Sequence, residues 1–244
     1  MRRKGQNFLV DRSVLSKIAD YAKLNTSDSV LEIGAGSGNL TEVLSRRAGR
    51  VYAIEVDSNL SAGLKGRFEN VEVIEGDALK VELPDYNKVV SNLPYQISSK
   101  ITYRLMSRPF DLAVLMYQKE FVKRLIAEPG AKDYGRLSMV TGYYASAEIL
   151  EYVSRTAFRP NPRIGSAIVR LCPRKDRPNV NYDRFARLAA GLFSYRRKKL
   201  RSALEAMGIS REELACLDRS ILDRRAEDIS SDEAAWMSKK LYFK

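Results

Sequence analysis

The chain has 244 residues, 45% of them apolar and 30% charged, with a formal net charge of +12 and no histidine. This composition excludes a disordered or fibrous chain, and no apolar run reaches the ~18 residues that a membrane-spanning helix needs. Without imidazole there is no Ser-His-Asp triad, no His base and no His-ligated metal, and Cys172 and Cys216 are too few and too far apart for a disulfide framework or a zinc knuckle.

An excess of twelve positive charges points to a polyanionic partner, nucleic acid first. Residues 155–175 carry six basic side chains and no acidic one. The basic N-terminus Arg2-Arg3-Lys4 leads into polar residues rather than an apolar signal segment, so a cytoplasmic protein is expected.

In chain order, Asp11 suits the N-cap of a helix with Val14, Leu15, Ile18 and Ala22 on one face. Strands are predicted at 29–33, 51–55, 71–75, 88–91 and 112–117, alternating with amphipathic helices near 39–48, 58–68, 98–107 and 119–128. That alternation predicts an α/β fold, a doubly wound parallel sheet with ligands outside the carboxyl ends of its strands. A helix after 135 and strands at 147–153 and 167–172 complete the sheet. From Tyr182 the pattern is helical only, with Leu188, Leu192, Leu200, Leu204, Leu214, Leu217, Ile221, Leu222 and Trp236 as core positions. The charged, proline-containing stretch at 174–178 marks the boundary, which predicts a domain 1–175 and a small all-helical domain 176–244.

The first strand runs into Gly34, Gly36 and Gly38, a turn whose glycines let the backbone approach a ligand closely. A nicotinamide-type fingerprint needs glycine where Asn39 stands, and the spacing with Glu32 before it favours an adenosyl ligand without a pyrophosphate. A tight βα turn with no ligand gives the same pattern. Glu55 ends the second strand, where a carboxylate accepts from both ribose hydroxyls, and Asp77 follows the third, within reach of an adenine amine. Three ligand groups after three successive strands make S-adenosylmethionine the natural candidate. Loss of Glu55 should then weaken cofactor binding and change stability little.

Asn92-Leu93-Pro94-Tyr95 follows the fourth strand. An exocyclic adenine amine is a poor nucleophile because its lone pair is delocalised into the ring. If the Asn92 side-chain oxygen and the carbonyl of Leu93 or Pro94 accept its two N–H bonds, the nitrogen can pyramidalise and attack a methyl sulfonium, with no imidazole required. Pro94 fixes the turn, and Tyr95 offers a face for the base. An ordinary turn would use the same residue types.

With these residues the chain resembles the small-subunit ribosomal RNA adenine N6,N6-dimethyltransferases, a family of Rossmann-like methyltransferases. The matching stretches are Gly5-Gln6-Asn7-Phe8-Leu9, 31–41, 53–57, 76–78, 91–98, 118–120 with 123–125, 134–138, Phe158-Arg159-Pro160-Asn161-Pro162 through Ser166, and 193–201, in the family's order. Lys100 stands where many relatives have proline, and the chain after 205 matches weakly. The resemblance implies that Asn7 and Leu9 hold the methionine end of the cofactor and that the turn of Gly34 and Gly36 lies under it. Glu55 and Asp77 would bind its ribose and adenine, Asn92 would touch both reactants, and Phe158 would stack on the target adenine opposite Tyr95. The basic density after residue 174 predicts RNA binding by 176–244, where Arg196, Arg197, Lys198, Lys199 and Arg201 are read as wrapping around a helix.

The function expected is transfer of methyl groups from S-adenosylmethionine to the N6 amines of two adjacent adenosines in a hairpin loop near the 3′ end of small-subunit rRNA. The expected partner is that rRNA or a small-subunit assembly intermediate, met by a monomer with a role in subunit biogenesis. The alternatives are a large-subunit rRNA adenine methylase of the resistance type and a non-catalytic RNA-binding assembly factor on the same fold. A DNA adenine methylase usually carries proline where Leu93 stands.

Overall fold

The computed structural model describes residues 7–241. Arg2-Arg3-Lys4 and the first two positions of the 5–9 motif lie outside the described residues. The chain divides into two compact units, one running to Val122 and resuming over Ala147–Pro173, the other comprising Lys123–Ser146 and everything from Arg174.

The first unit opens with β1 (Phe8–Leu9) and α1 (Arg12–Tyr21), whose cap is Asp11, its carboxylate accepting from the Ser13 and Val14 amides. Then follow β2 (Ser29–Ile33), α2 (Asn39–Ser45), β3 (Arg50–Glu55), α3 (Ser58–Leu64), β4 (Val71–Glu75), β5 (Lys88–Asn92), α4 (Ser98–Met106) and β6 (Leu112–Gln118). After α5 (Lys119–Leu125) and α6 (Arg136–Tyr144) come β7 (Ala145–Val153), β8 (Phe158–Arg159) and β9 (Ser166–Pro173). All five predicted parallel strands form, within one residue of their expected ends.

The seven-stranded sheet has the order β4-β3-β2-β5-β6-β9-β7. β4, β3, β2, β5 and β6 run parallel, and β9 lies antiparallel to β6. Because β3 is added on one side of β2 and β5 on the other, the winding reverses between β2 and β5, and the crevice opens there at the carboxyl ends. Separately, β1 pairs antiparallel with β8, setting Leu9 opposite Phe158. An apolar cluster that includes Val14, Leu15, Ile18, Leu44, Val90, Val114 and Ile168 fills this unit.

The second unit is built around α6, α7 (Tyr182–Ser194) and α11 (Ser231–Lys240), which pack on one another, with α8 (Leu200–Ala206), α9 (Arg211–Leu214) and α10 (Arg219–Leu222) between the last two. The sequence places one division near 175, whereas residues 123–146 also group with this unit. The reason is α6, which buries Leu137, Met139, Val140, Tyr143 and Tyr144 around nearly its whole circumference and packs on α7 and α11. Tyr134, ahead of it, donates to the Ile229 carbonyl at 2.8 Å. The expected leucines are buried, but Trp236 is 43% exposed with the Lys240 ammonium 5.8 Å from its ring, and Ile221 is only half-buried.

Candidate active site

A cavity of about 810 Å³ opens at the carboxyl ends of β2, β3 and β5, a size within the range of about 300–1,000 Å³ common for ligand sites. Asn7, Leu9, Gly34, Gly36, Glu55, Asp77, Asn92, Leu93, Pro94 and Tyr95 all line it. Phe158 does not. It is fully buried in the apolar cluster that includes Leu9, Leu15 and Ala157, pinned by the pairing of β8 with β1. The expected stacking partner of Tyr95 therefore stands in the core, and Asn161, Pro162, Arg163 and Ile164 supply the cavity wall from the same segment.

The turn after β2 explains its first glycine. Gly34 has φ +76°, and a Cβ there would come 2.7 Å from Pro94 Cγ, so only glycine lets the β2 and β5 turns close on one another. Its amide donates to the Ile54 carbonyl, and the Gly36 amide donates to Glu55 Oε2 at 2.8 Å. Glu55 Oε1 accepts from the Asp57 amide at 2.9 Å. Glu55 therefore holds the glycine turn as well as facing the cavity, at 4% exposure. Each oxygen keeps a lone pair for a ligand hydroxyl.

This changes one expectation. Glu55→Ala should weaken S-adenosylmethionine binding by about 1.5–3 kcal/mol, and it should also destabilise the protein by roughly 1–3 kcal/mol, because two backbone donors lose their acceptor. Glu55→Gln, which keeps an acceptor oxygen, should recover part of the stability. Calorimetric titration with the cofactor beside urea unfolding measures the two losses separately, and unchanged affinity in the folded Ala variant would remove Glu55 from the site.

Glu32, the residue before Ile33, also lines the cavity but is nearly inaccessible, and its Oε2 has no partner. Burial pushes its carboxyl up to about 8, the neighbouring Glu55 adds to the rise, and the Thr41 hydroxyl opposes it. A carboxyl held neutral can donate as well as accept. Asp77 accepts from the Leu79 amide through Oδ1 at 2.9 Å, leaving Oδ2 for a ligand amine. Asn39, expected only as the residue that excludes a nicotinamide fingerprint, ties the N-terminal segment to the turn by donating to the Leu9 carbonyl at 2.8 Å.

At the end of β5, the Pro94 carbonyl already accepts from the Ile97 amide and Ser98 Oγ. Among the described residues the Leu93 carbonyl and the Asn92 side chain have no partner, so of the two carbonyls considered, Leu93 is the one open to a substrate amine. The Leu93 amide donates to the Met116 carbonyl and its side chain is buried, which fixes that carbonyl. Tyr95 begins the turn of Tyr95–Ile97, and its hydroxyl shares a 2.7 Å hydrogen bond with Ser166 Oγ. The ring is thereby held against the wall, and burial pushes the phenol pKa up, so it stays neutral. Among the described residues no group of His, Cys, Asp or Glu is placed to hold a metal ion.

In the second unit the basic cluster is not wrapped on a helix. Residues 195–199 form the turn between α7 and α8, and only Arg201 is helical. Arg196 pairs with Glu227 at 2.7 Å and donates to the Ala131 and Lys132 carbonyls, and Lys199 pairs with Asp223 at 3.1 Å. Lys198 sits 5.1 Å from the Tyr195 ring, and Arg197 is exposed. The helical pattern of 182–194 does not carry past Ser194 because the Tyr195 backbone leaves helical geometry there, with φ −119° and ψ 33°.

The cavity's acceptors and closely approached glycine turn fit an adenosyl ligand, and the open Asn92 and Leu93 acceptors fit a primary amine presented beside it. Comparison with known proteins agrees. The model of the ribosomal RNA adenine dimethylase family matches residues 1–241. A probable ribosomal RNA small subunit methyltransferase A from Methanosarcina mazei is 45% identical, covering 97% of this chain and 91% of that protein, and the protein of the same description from Pyrococcus furiosus is 44% identical over 90% and 81%. Among solved structures, a dimethyladenosine transferase from Plasmodium falciparum superposes with a TM-score of 0.85 at 30% identity, covering 97% of this chain and all of that one. The 23S rRNA methyltransferase ErmE superposes at 0.69 with 28% identity, covering 96% and 99%. The chain belongs to the ribosomal RNA adenine dimethylase family.

Proposed function

We propose that this protein transfers methyl groups from S-adenosylmethionine to the N6 amines of two adjacent adenosines in a hairpin loop near the 3′ end of small-subunit rRNA, giving N6,N6-dimethyladenosine during subunit biogenesis. The observation that carries the reading is the pair of unpartnered acceptors, Asn92 and the Leu93 carbonyl, just before Tyr95 in the chain, on the wall of the same cavity as Gly34, Glu55 and Asp77. The names of the 44–45% identical relatives support the small subunit over the large one; the 23S rRNA methyltransferase ErmE is 28% identical.

S-adenosylmethionine, held by Asn7, Leu9, the Gly34–Gly36 turn, Glu55 and Asp77, supplies an electrophilic methyl on a sulfonium. Asn92 and Leu93 accept the two N–H bonds of the target amine, which draws its lone pair out of ring conjugation and aims it. Tyr95 stacks the base, so an unpaired loop adenosine can be taken whole into the pocket. After transfer the substituted nitrogen is strongly acidic and gives its proton to water, which suits a chain without histidine. The reading is of a monomer, in the cytoplasm, acting on rRNA or a small-subunit assembly intermediate. No helix among the described residues is long and apolar enough to cross a membrane.

The test is incubation with labelled S-adenosylmethionine and undermethylated small subunits, then nucleoside analysis. Dimethyladenosine in the small-subunit rRNA is expected; label only in large subunits, or none, would sink the reading.

The second unit's part in RNA binding is a further proposal, with a narrower prediction than the sequence suggests. Arg196 and Lys199 are already engaged with carboxylates, so Arg197 and Lys198 are the members of the turn free to reach phosphates. Neutralising those two should lower the salt dependence of RNA affinity by about one to two units, since each lost phosphate contact releases about one fewer counterion. Cofactor affinity should not move. A slope equal to the parent's across a salt series would leave the turn as solvated surface.

A further inference from the structure

Tyr152 on β7, one of the two edge strands of the sheet, is 59% exposed, more than any other exposed large hydrophobic side chain among the described residues. The Lys119 ammonium stands 5.1 Å from its ring centroid. At that exposure the side chain can take a further partner, and a cation beside an aromatic face favours an electron-rich base and its phosphate together.

Lys119 directly follows a residue of the cavity wall, and the strand that carries Tyr152 approaches another wall segment through its backbone. Gln118 lines the cavity, and the next residue, Lys119, donates its amide to the Gly165 carbonyl at 3.0 Å. Gly165 follows Ile164, also on the wall and 40% exposed, and abuts the carbonyl of Val153, the residue after Tyr152. Ser166, which holds the Tyr95 hydroxyl, faces Gln118 in the β6–β9 register. The strand-end pair that holds the Tyr95 hydroxyl is thus directly followed in the chain by Lys119.

The charge around the shelf is one-sided. Arg155, Arg159 and Arg163 are exposed, and the hydrogen bonds made by Arg155 and Arg159 go to carbonyl and amide oxygens, none to a carboxylate. Of the nearby acids, Glu151 is turned to Lys17 and Tyr21, and Glu148 to Arg170, leaving Glu120 as the acidic neighbour of Lys119.

We propose that Tyr152 and Lys119 form a stacking platform for a nucleotide adjacent to the target adenosine, with Arg155 and Arg163 meeting the phosphates on either side. The proposal rests on the RNA methyltransferase reading above. When a loop adenosine is drawn into the pocket, its neighbour loses a stacking partner, and an exposed aromatic beside the cavity mouth replaces it without regard to base identity.

The experiment uses the full chain and a hairpin RNA with two adjacent loop adenosines, carrying 2-aminopurine on one or the other side of them. For Tyr152→Ala the KM for RNA should rise roughly tenfold, with kcat at saturating RNA and S-adenosylmethionine affinity unchanged, whereas Tyr152→Phe should match the parent. Binding to the parent and to Tyr152→Phe should quench the 2-aminopurine on one side, and binding to Tyr152→Ala should not. Parent-like KM and quenching in Tyr152→Ala would overturn the platform, as would equal losses in the Phe and Ala variants, which would assign the effect to the hydroxyl. A dimer of the parent in sedimentation that Tyr152→Ala dissolves would assign the face to a second copy and overturn it too. Methylation of large instead of small subunits by the parent would reject the substrate reading alone, and the same fluorescence assay on the accepted RNA would still decide the platform.

Discussion

Asn92→Ala should lower the rate of methyl transfer by roughly 10²-fold or more in a single turnover at saturating cofactor and RNA. The side chain lines the cavity at the end of β5 and has no partner among the described residues, so its acceptor oxygen is open to a substrate. Removing one positioned hydrogen-bonding group that acts on developing charge typically costs 10²–10³-fold. The interaction is strongest when the amine pyramidalises, so the loss belongs to the chemical step and RNA affinity should hold. Half-buried at a strand end, Asn92 contributes little to the core, and the fold should persist. Asn92→Asp keeps an acceptor and should lose less than Asn92→Ala. Equal transfer rates in the parent and the Ala variant would reject the mechanism, and a loss seen only in cofactor affinity would move Asn92 out of the reacting centre and into the cofactor site.

The parallel sheet was legible because short β-rich runs alternate with amphipathic helical stretches, and three of those runs are closed or followed by a carboxylate or amide side chain. Glu55 ends β3, Asp77 follows β4, and Asn92 ends β5, and all three reach one cavity. The turn at Gly34 was legible for a related reason, since a positive φ and the approach of Pro94 demand glycine. What escaped the sequence depends on contacts distant in the chain. The two-residue pairing of β1 with β8 is too short for any periodicity to register, yet it decides that Phe158 faces inward. Asn39 holds Leu9 across 30 residues, and Arg196 meets Glu227 across 31, partners that no local pattern announces. Helix α6 reads as part of the sheet domain because it lies between its strands in sequence; its apolar residues occupy nearly every side, and only the packed fold shows that they meet α7 and α11.

Phe158 separates a structural aromatic from a base platform, and the two roles predict opposite outcomes for one pair of variants. The side chain is fully buried in the cluster that includes Leu9, Leu15, Ala157 and Ile168. Phe158→Ala should therefore destabilise the protein by about 3–5 kcal/mol, the transfer and cavity cost of emptying such a site. Phe158→Leu keeps most of the apolar volume and should cost under about 1.5 kcal/mol. For a core residue, methylation by Phe158→Leu at a temperature where it is folded should stay near the parent's, because the target base never touches the ring. For a platform opposite Tyr95, leucine would forfeit stacking, and the KM for RNA would rise roughly tenfold in a protein of near-parent stability. Urea unfolding of both variants together with RNA KM for Phe158→Leu distinguishes the cases. The structure leads us to expect the first, with the loss confined to stability; a stable Phe158→Leu enzyme that binds RNA poorly would mean that the ring swings out of the core when the substrate arrives.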